Sequence, residues 1–531
     1  MQQIKSSNRR AAITQRRLVN LAILGVTVGL LLVLINLLFS KNSSLIGLII
    51  IGALVAIPAC VVTVVNWRWS LYVLGFLIVF EGVARNLSNQ VSVLLLKDGI
   101  LALVYIGYMR ENGLGFLRSK NMRRFFVGFV VVTVFCAIEV INPQIPSVLV
   151  GLIGLKTYVM YIPMLFLAYE VLDSPRKVER FVVFMLALGL ASSALGAYQS
   201  FGGIEVVKQF QPGDVVSTWG SDGSFVSYKI PGSFAGPGNF SYFLQLVFAL
   251  AIGLFYSKTS KWVSLFSLGC LGTFCFLLVL NSQRVAWVFI ICCFLAGTFT
   301  YTTRWWLRFL RFALAALLVV AFVYAISSPD NVIGSRFSEF TQGEGVNNYL
   351  YAGPSDQIGA QLEAISKGRI FGVGTGMGAP GARYLLDSGF TFVESFLALL
   401  LYEMGPVGFF LIMGLVLLAV YDTWYAYKHS RGADHHNLVF FCLLWLVYMV
   451  ITELTYAPLT IPPVAQFYWI IPGIALRISA LSLKDKAAKA AGEAADPLAP
   501  PPPTERALQP LLASAGAGSG SGAGQEKGFD S

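Results

Sequence analysis

The chain is built from repeated apolar runs of about 20 residues, the length needed to cross the hydrocarbon core of a bilayer as a helix. Lipid offers no partners for backbone N–H and C=O groups, so spanning segments must be helices or closed barrels. Barrel strands alternate apolar and polar residues, and these runs do not. With 56% hydrophobic and 12% charged residues and a mean hydropathy of +0.70, no water-soluble class fits. The runs predict an all-α, polytopic transmembrane bundle of about fourteen spans, near 18–38, 45–65, 69–84, 91–109, 124–142, 148–171, 180–201, 239–257, 262–280, 284–301, 305–327, 391–420, 437–456 and 463–480. The 69–84 range is short and interrupted by Glu81 and Arg85, which suggests a half-span. The 18–38 run is too long for a signal-peptide core and lacks a small-residue cleavage site, so it is expected to be retained.

The net charge of +11 would suit nucleic acid, but its distribution argues otherwise. Basic residues gather in alternate short loops: Lys5 to Arg17, Arg110 to Arg124, Arg176 to Arg180, Lys258 and Lys261, and Arg304 to Arg311. That is the positive-inside pattern. It predicts cytoplasmic termini and two large extracytoplasmic loops, 202–238 and 328–390. The membrane domain is then 18–483, preceded by a basic segment 1–17. The tail 484–531 holds a proline run and a Gly/Ser/Ala run of linker composition, and reads as disordered. Its alanine-rich 487–495 stretch could extend the last helix. The seven cysteines all fall inside apolar runs, which indicates neither a disulfide framework nor a thiol metal site.

The loops carry the chemistry. Residues 229–240 are punctuated by Gly and Pro, which predicts a rigid turn that is either a tight re-entry or a cavity wall bearing Lys229. Arg284, with no local carboxylate, starts a span; its fork suits phosphate oxygens, although a snorkelling arginine anchored beside Trp287 is the plainer alternative. In the second loop, Ile358, Leu362 and Ile365 recur at helical spacing, so an amphipathic helix is expected over 355–367, ended by Gly368. The run Phe371 to Gly378 offers backbone amides for an anion. Gly376 to Gly381 matches G-x-G-x-x-G, but neither a preceding strand nor a following helix is predicted there, so a dinucleotide site is rejected. Glu394 and Glu403, nine residues apart, would point to opposite faces of a straight helix. Only one can then face a given cavity, and Glu394 lies nearer the mouth. Gly405-Pro406 is expected to kink that helix. Lys97 and Asp98, charged inside a span, read as pairing structurally with other polar groups. The histidines His429, His435 and His436 all lie in a cytoplasmic loop, and no acidic cluster lies outside, so no cofactor and no metal are expected.

Three segments in order resemble the O-antigen ligase and O-antigen polymerase superfamily of bacterial membrane glycosyltransferases. They are Pro231 to Phe240; Ser282-Gln283-Arg284-Val285-Ala286-Trp287; and Ile370 to Gly408, including Glu394-Ser395-Phe396-Leu397 and Glu403-Met404-Gly405-Pro406-Val407-Gly408. Lys156-Thr157-Tyr158 is similar to a family span that begins with a basic residue. The resemblance implies a GT-C-like membrane enzyme in the bacterial cytoplasmic (inner) membrane, with its active site on the extracytoplasmic side. It implies a polyprenyl-diphosphate-linked oligosaccharide as donor, and a flippase and chain-length regulator of the same pathway as partners. Glu394 is then the expected base. Arg284, Arg369, Arg383, Lys229 and Lys156 are the expected cations for the diphosphate, and Tyr349 and Tyr351 are expected to stack on sugars. Many ligases place histidine where this chain has Glu394, which weakens a lipid A ligase reading and favours a polymerase or a ligase with another acceptor; repeat-unit polymerisation for surface polysaccharide or exopolysaccharide is the first expectation. The alternatives are ligase-type transfer to another acceptor and a lipid-linked oligosaccharide flippase.

Overall fold

The computed structural model describes residues 67–88, 93–210, 217–219, 225–281, 284–298, 353–368, 370–378, 385, 393–461 and 463–494. The helices are α1 (Ser70–Ser88), α2 (Val93–Asn112), α3 (Lys120–Glu139), α4 (Val148–Val159), α5 (Met164–Val171), α6 (Pro175–Phe210), α7 (Pro237–Phe255), α8 (Lys261–Leu280), α9 (Arg284–Thr298), α10 (Gly353–Ser366), α11 (Phe396–His429), α12 (His436–Thr452) and α13 (Val464–Ala494). Among the described residues the strands are β1 (Ser217–Trp219) and β2 (Phe225–Tyr228), a short antiparallel pair in the expected 202–238 loop, whose first residues are instead helical, since α6 runs to Phe210.

Eight described helices are long and apolar enough to cross a membrane, and α12 and most of α9 are shorter apolar helices. The chain is therefore a helical membrane protein. The expected spans 18–38, 45–65 and 305–327 lie outside the described residues; each other range overlaps described helix, but α2, over the expected 91–109, is not among the eight candidate spans, and 148–171 is made of α4 and α5. The 69–84 range is corrected: with the Trp67–Trp69 turn, α1 forms a candidate span of full length. Glu81 does not interrupt it, because Lys97 of the neighbouring helix pairs with its carboxylate. Residues 482–531 form a separate unit; its described part is helical to Ala494, in line with the alanine-rich 487–495 stretch, so the first residues of the expected tail 484–531 are helical.

Burial ranks the helices. For α7, 83% of the apolar window is buried, against 22% for α3. A helix that is apolar all round belongs in the centre of a bundle, and α7 packs against α6, α8, α9 and α12. Gly253 lets α12 approach α7, since a Cβ there would sit 3.0 Å from the Leu438 backbone. On the outside, mid-helix residues such as Val127, Val134, Leu265, Phe276 and Phe410 are exposed. Such a surface would be a liability in water and is ordinary against lipid.

The bundle has two chemically distinct ends. At one, the Lys258 N–H donates to Asp434 O at 2.9 Å, Asn437 Nδ2 to Tyr256 O at 2.6 Å and Arg477 Nη2 to Asp173 O at 3.2 Å, while Arg124 pairs with Asp422. The described loop clusters of arginine and lysine belong to this basic end. The turn at 229–238, the segment 370–378 and residues 393–395 and 453–463 belong to the other.

Candidate functional site

The first turn enters the bundle. Val83 N–H donates to Ser233 O at 3.1 Å, and Gln199 holds Gly232 from both sides, Nε2 to its O and Oε1 from its N–H, each at 2.8 Å. Ser192 and Ser233 hydroxyls meet at 2.7 Å. Gly232 adopts a φ of +58° with its α-carbon against the Phe240 ring, a position where a side chain would be both strained and obstructed. Residues 230–234 are buried and Lys229 is half-buried at the turn's entrance, so the segment is a pinned re-entry with the lysine at its edge.

The second segment fills a break in α11. Gly405 leaves helical geometry (φ 64°, ψ −172°) just before Pro406, as the Gly-Pro pair predicted. Proline has no N–H, so the carbonyl four residues back, on Tyr402, loses its donor. Val373 N–H supplies it at 3.0 Å, and Gly374 N–H takes the Glu403 carbonyl at 2.8 Å. Gly372 is required here: a Cβ would sit 2.1 Å from Glu403 backbone. Irregular backbone at this depth is tolerable only when protein satisfies it.

The anion for the glycine amides turns out to be internal. Glu403 Oε2 accepts from Gly376 N–H at 2.9 Å and from Tyr158 OH at 2.9 Å, and Oε1 accepts from Gly378 N–H at 2.7 Å. Gly154 on α4 brings that helix against Thr375 and Gly376. The expected ligand-binding nest is thus occupied by the chain's own fully buried carboxylate.

The opposite-face argument for the two glutamates is corrected as well. Helix α11 starts at Phe396, capped by Ser395 Oγ, which accepts from Ala398 N–H. Glu394 precedes the helix and is exposed, so helical phase does not relate it to Glu403. Its backbone is fixed instead: the N–H groups of Glu394 and Ser395 both donate to Gln357 Oε1, at 3.1 and 3.2 Å. Helix α10, close to the predicted 355–367, packs on α11 to place Gln357. Phe396 N–H donates to Glu453 O at 3.1 Å.

A chain of contacts runs from Asn281, just before α9, to the start of α11 beside Glu394. Arg284 is the first residue of α9. Just before it, Asn281 Nδ2 donates to Pro237 O at 3.0 Å. Gly238 lies 3.9 Å from the Tyr456 hydroxyl, measured from an ideal Cβ, and Tyr456 stacks on Tyr242 at 6.0 Å. Tyr456 O in turn accepts from the N–H of Phe396, two residues after Glu394, at 3.4 Å. The Gln245 and Asn281 amide oxygens and Glu453 Oε2 are buried at this end without hydrogen-bond partners.

Lys156 belongs to a second polar group. It pairs with Asp98, which also accepts from Tyr161 OH at 2.9 Å. Lys97 bridges toward Asp98 at 4.0 Å and reaches Glu81 at 2.7 Å. The Lys97-Asp98 pair is thus one edge of a four-membered ionic network, with the Lys156 side chain 30% exposed and the others nearly sealed. Arg369, Arg383, Tyr349 and Tyr351 lie outside the described residues, as does the side chain of Arg284. Sequence reasoning missed Gln357, Tyr158 and Tyr456. Only Tyr158 had a signal, since it follows the intramembrane Lys156. Among the described residues no group of three metal-ligating side chains occurs. No family model and no curated protein matches the chain.

Proposed function

We propose that this chain is a membrane glycosyltransferase that polymerises polyprenyl-diphosphate-linked oligosaccharide repeat units on the outer side of a bacterial cytoplasmic membrane. The observation that carries this reading is the contact path from Asn281, just before α9, through Pro237, Gly238 and Tyr456 to Phe396 N–H, two residues after Glu394. The described parts of the three segments that resemble the polymerase and ligase superfamily, 231–240, the start of α9, and 370–378 with 393–408, support the reading by lying toward the end of the bundle opposite the basic residues.

In the proposed reaction an acceptor sugar hydroxyl attacks the donor's anomeric carbon. The new C–O bond forms as the bond to the diphosphate breaks, and the lipid diphosphate leaves with the electron pair. Glu394 takes the hydroxyl proton; its exposure leaves it accessible to a substrate, and Gln357 fixes its backbone. The diphosphate charge is met by Arg284 and Lys229, with Arg369 and Arg383 on the same loop system. Lys156, 30% exposed and paired with Asp98, is a further cation for the donor, and Tyr349 and Tyr351 serve the glycan.

Purified protein in nanodiscs, supplied with a polyprenyl-diphosphate-linked repeat unit, should yield a ladder of longer lipid-linked glycans. Transfer only to a different added acceptor would make it a ligase. Movement of intact donor across the bilayer with no new glycosidic bond would make it a transporter and remove Glu394 from chemistry.

A further inference from the structure

At the basic end, far along the bundle from Glu394, lies a cavity of about 440 Å³ lined in part by Glu111, Phe116, Ser119, Tyr169, Glu170 and Arg477. Its charges come from separate elements. Glu111 ends α2 and is oriented by Trp67 Nε1 at 2.7 Å, Glu170 ends α5, and Arg477 comes from α13. The guanidinium lies over the Tyr169 ring at 5.2 Å, its Nη2 is held by Asp173 O, and its Nε is buried with no hydrogen-bond partner. Among the described residues neither glutamate forms an ion pair with it. Ser119 is the N-cap of α3, yet its side chain makes no capping bond. Tyr108, packed on Phe116 at 6.2 Å, is buried with its hydroxyl unpaired.

Opposite charges that share a cavity without pairing suit a ligand carrying both signs. We propose that this cavity binds the phosphoethanolamine headgroup of a membrane phospholipid. The ammonium lies between Glu111 and Glu170, whose carboxylates accept its three N–H bonds. The phosphate faces Arg477, the Ser119 hydroxyl and the unsatisfied first amides of α3, which favour an anion. Choline could not donate to the carboxylates, and a glycerol headgroup would leave them without a cation. Trp69, Met109 and Leu114, at the same end, expose 42%, 47% and 46% of their surface and offer an apolar track for acyl chains, which favours a lipid over a soluble compound. The site is independent of the glycosyltransferase reading.

The test is native mass spectrometry of the full chain released from mixed micelles of phosphatidylethanolamine, phosphatidylcholine and phosphatidylglycerol. The wild type should retain phosphatidylethanolamine in preference to the others. Glu170→Gln and, separately, Ser119→Ala, neither of which removes a contact made elsewhere in the fold, should each reduce that preference, Glu170→Gln by about tenfold. Thermal unfolding with soluble phosphoethanolamine, phosphocholine and glycerol phosphate forms the second arm. Stabilisation by phosphoethanolamine alone, without lipid preference, supports the same headgroup chemistry with a soluble source. Equal retention of all three lipids with no soluble stabilisation, a preference for phosphatidylglycerol, or a preference unchanged in both variants overturns the proposal.

Discussion

Two glutamates nine positions apart in one segment behave as different residues because one is solvated and the other is caged. Glu403 accepts three hydrogen bonds, from Gly376 N–H, Gly378 N–H and Tyr158 OH. Glu403→Gln replaces an acceptor oxygen by an NH₂ that faces a donor, so a buried donor loses its partner at a cost of about 1–3 kcal/mol. A clear drop in thermal midpoint is expected, whatever the activity. Glu394→Gln is exposed and should leave the midpoint within about 0.5 kcal/mol of wild type, while abolishing polymer formation with donor binding retained. Near-normal turnover by Glu394→Gln would remove the proposed base. The sequence showed both carboxylates but could not separate their roles. Their difference depends on where α11 begins and on a loop that arrives from more than twenty residues upstream. The glycine run was expected to offer amides to an anion, and Gly376 and Gly378 do so; that the anion is the chain's own side chain is a tertiary fact.

At the scale of elements, the break in α11 and the 370–378 segment form one unit. The Gly-Pro pair made the kink legible, since proline deprives Tyr402 O of its donor; the identity of the replacement donors was not. Gly405 combines φ +64° with an approach of 2.1 Å between an ideal Cβ and Ile370 O. Gly405→Ala should therefore strain the backbone and displace the segment, for a loss of about 1–3 kcal/mol. Amide exchange at Val373, Gly374, Gly376 and Gly378 should accelerate together; unchanged protection there would show that the two pieces are not coupled. The basic end has its own sensitive element. His435, at the start of α12, is buried, and burial holds its imidazole below the usual histidine value, partly offset by Glu179. A depressed folded-state value means the unfolded chain binds protons more readily. The stability is thus fully present above the ordinary histidine range and is lost as pH falls through it. Thermal midpoints measured from pH 8 down to pH 5 should decline for the wild type and decline less for His435→Asn.

For the molecule as a whole, hydropathy located the apolar helices, because lipid leaves the backbone few choices, but not their ends: α6, α11 and α13 run well past the expected 201, 420 and 480, and 148–171 is two helices. It could not show how polar segments are inserted between helices, or that Glu81, Lys97, Asp98 and Lys156 close into one network across three helices, since those partners are distant in sequence. The gathering of basic residues at one end and of the Gln144 and Glu394 loops at the other makes a topological prediction. Positive-inside asymmetry assigns the basic end to the cytoplasm. Gln144 and Ser260 are both exposed in loops at opposite ends, and the described native cysteines are buried or half-buried within helices, so single introduced thiols should dominate labelling. Gln144→Cys should react with a membrane-impermeant maleimide in cells whose outer barrier alone has been opened. Ser260→Cys should react only after the inner membrane is permeabilised. The reverse pattern would put Glu394 in the cytoplasm, where a lipid-linked repeat unit presented on the outer leaflet could not reach it, and the proposed reaction would fall with the topology.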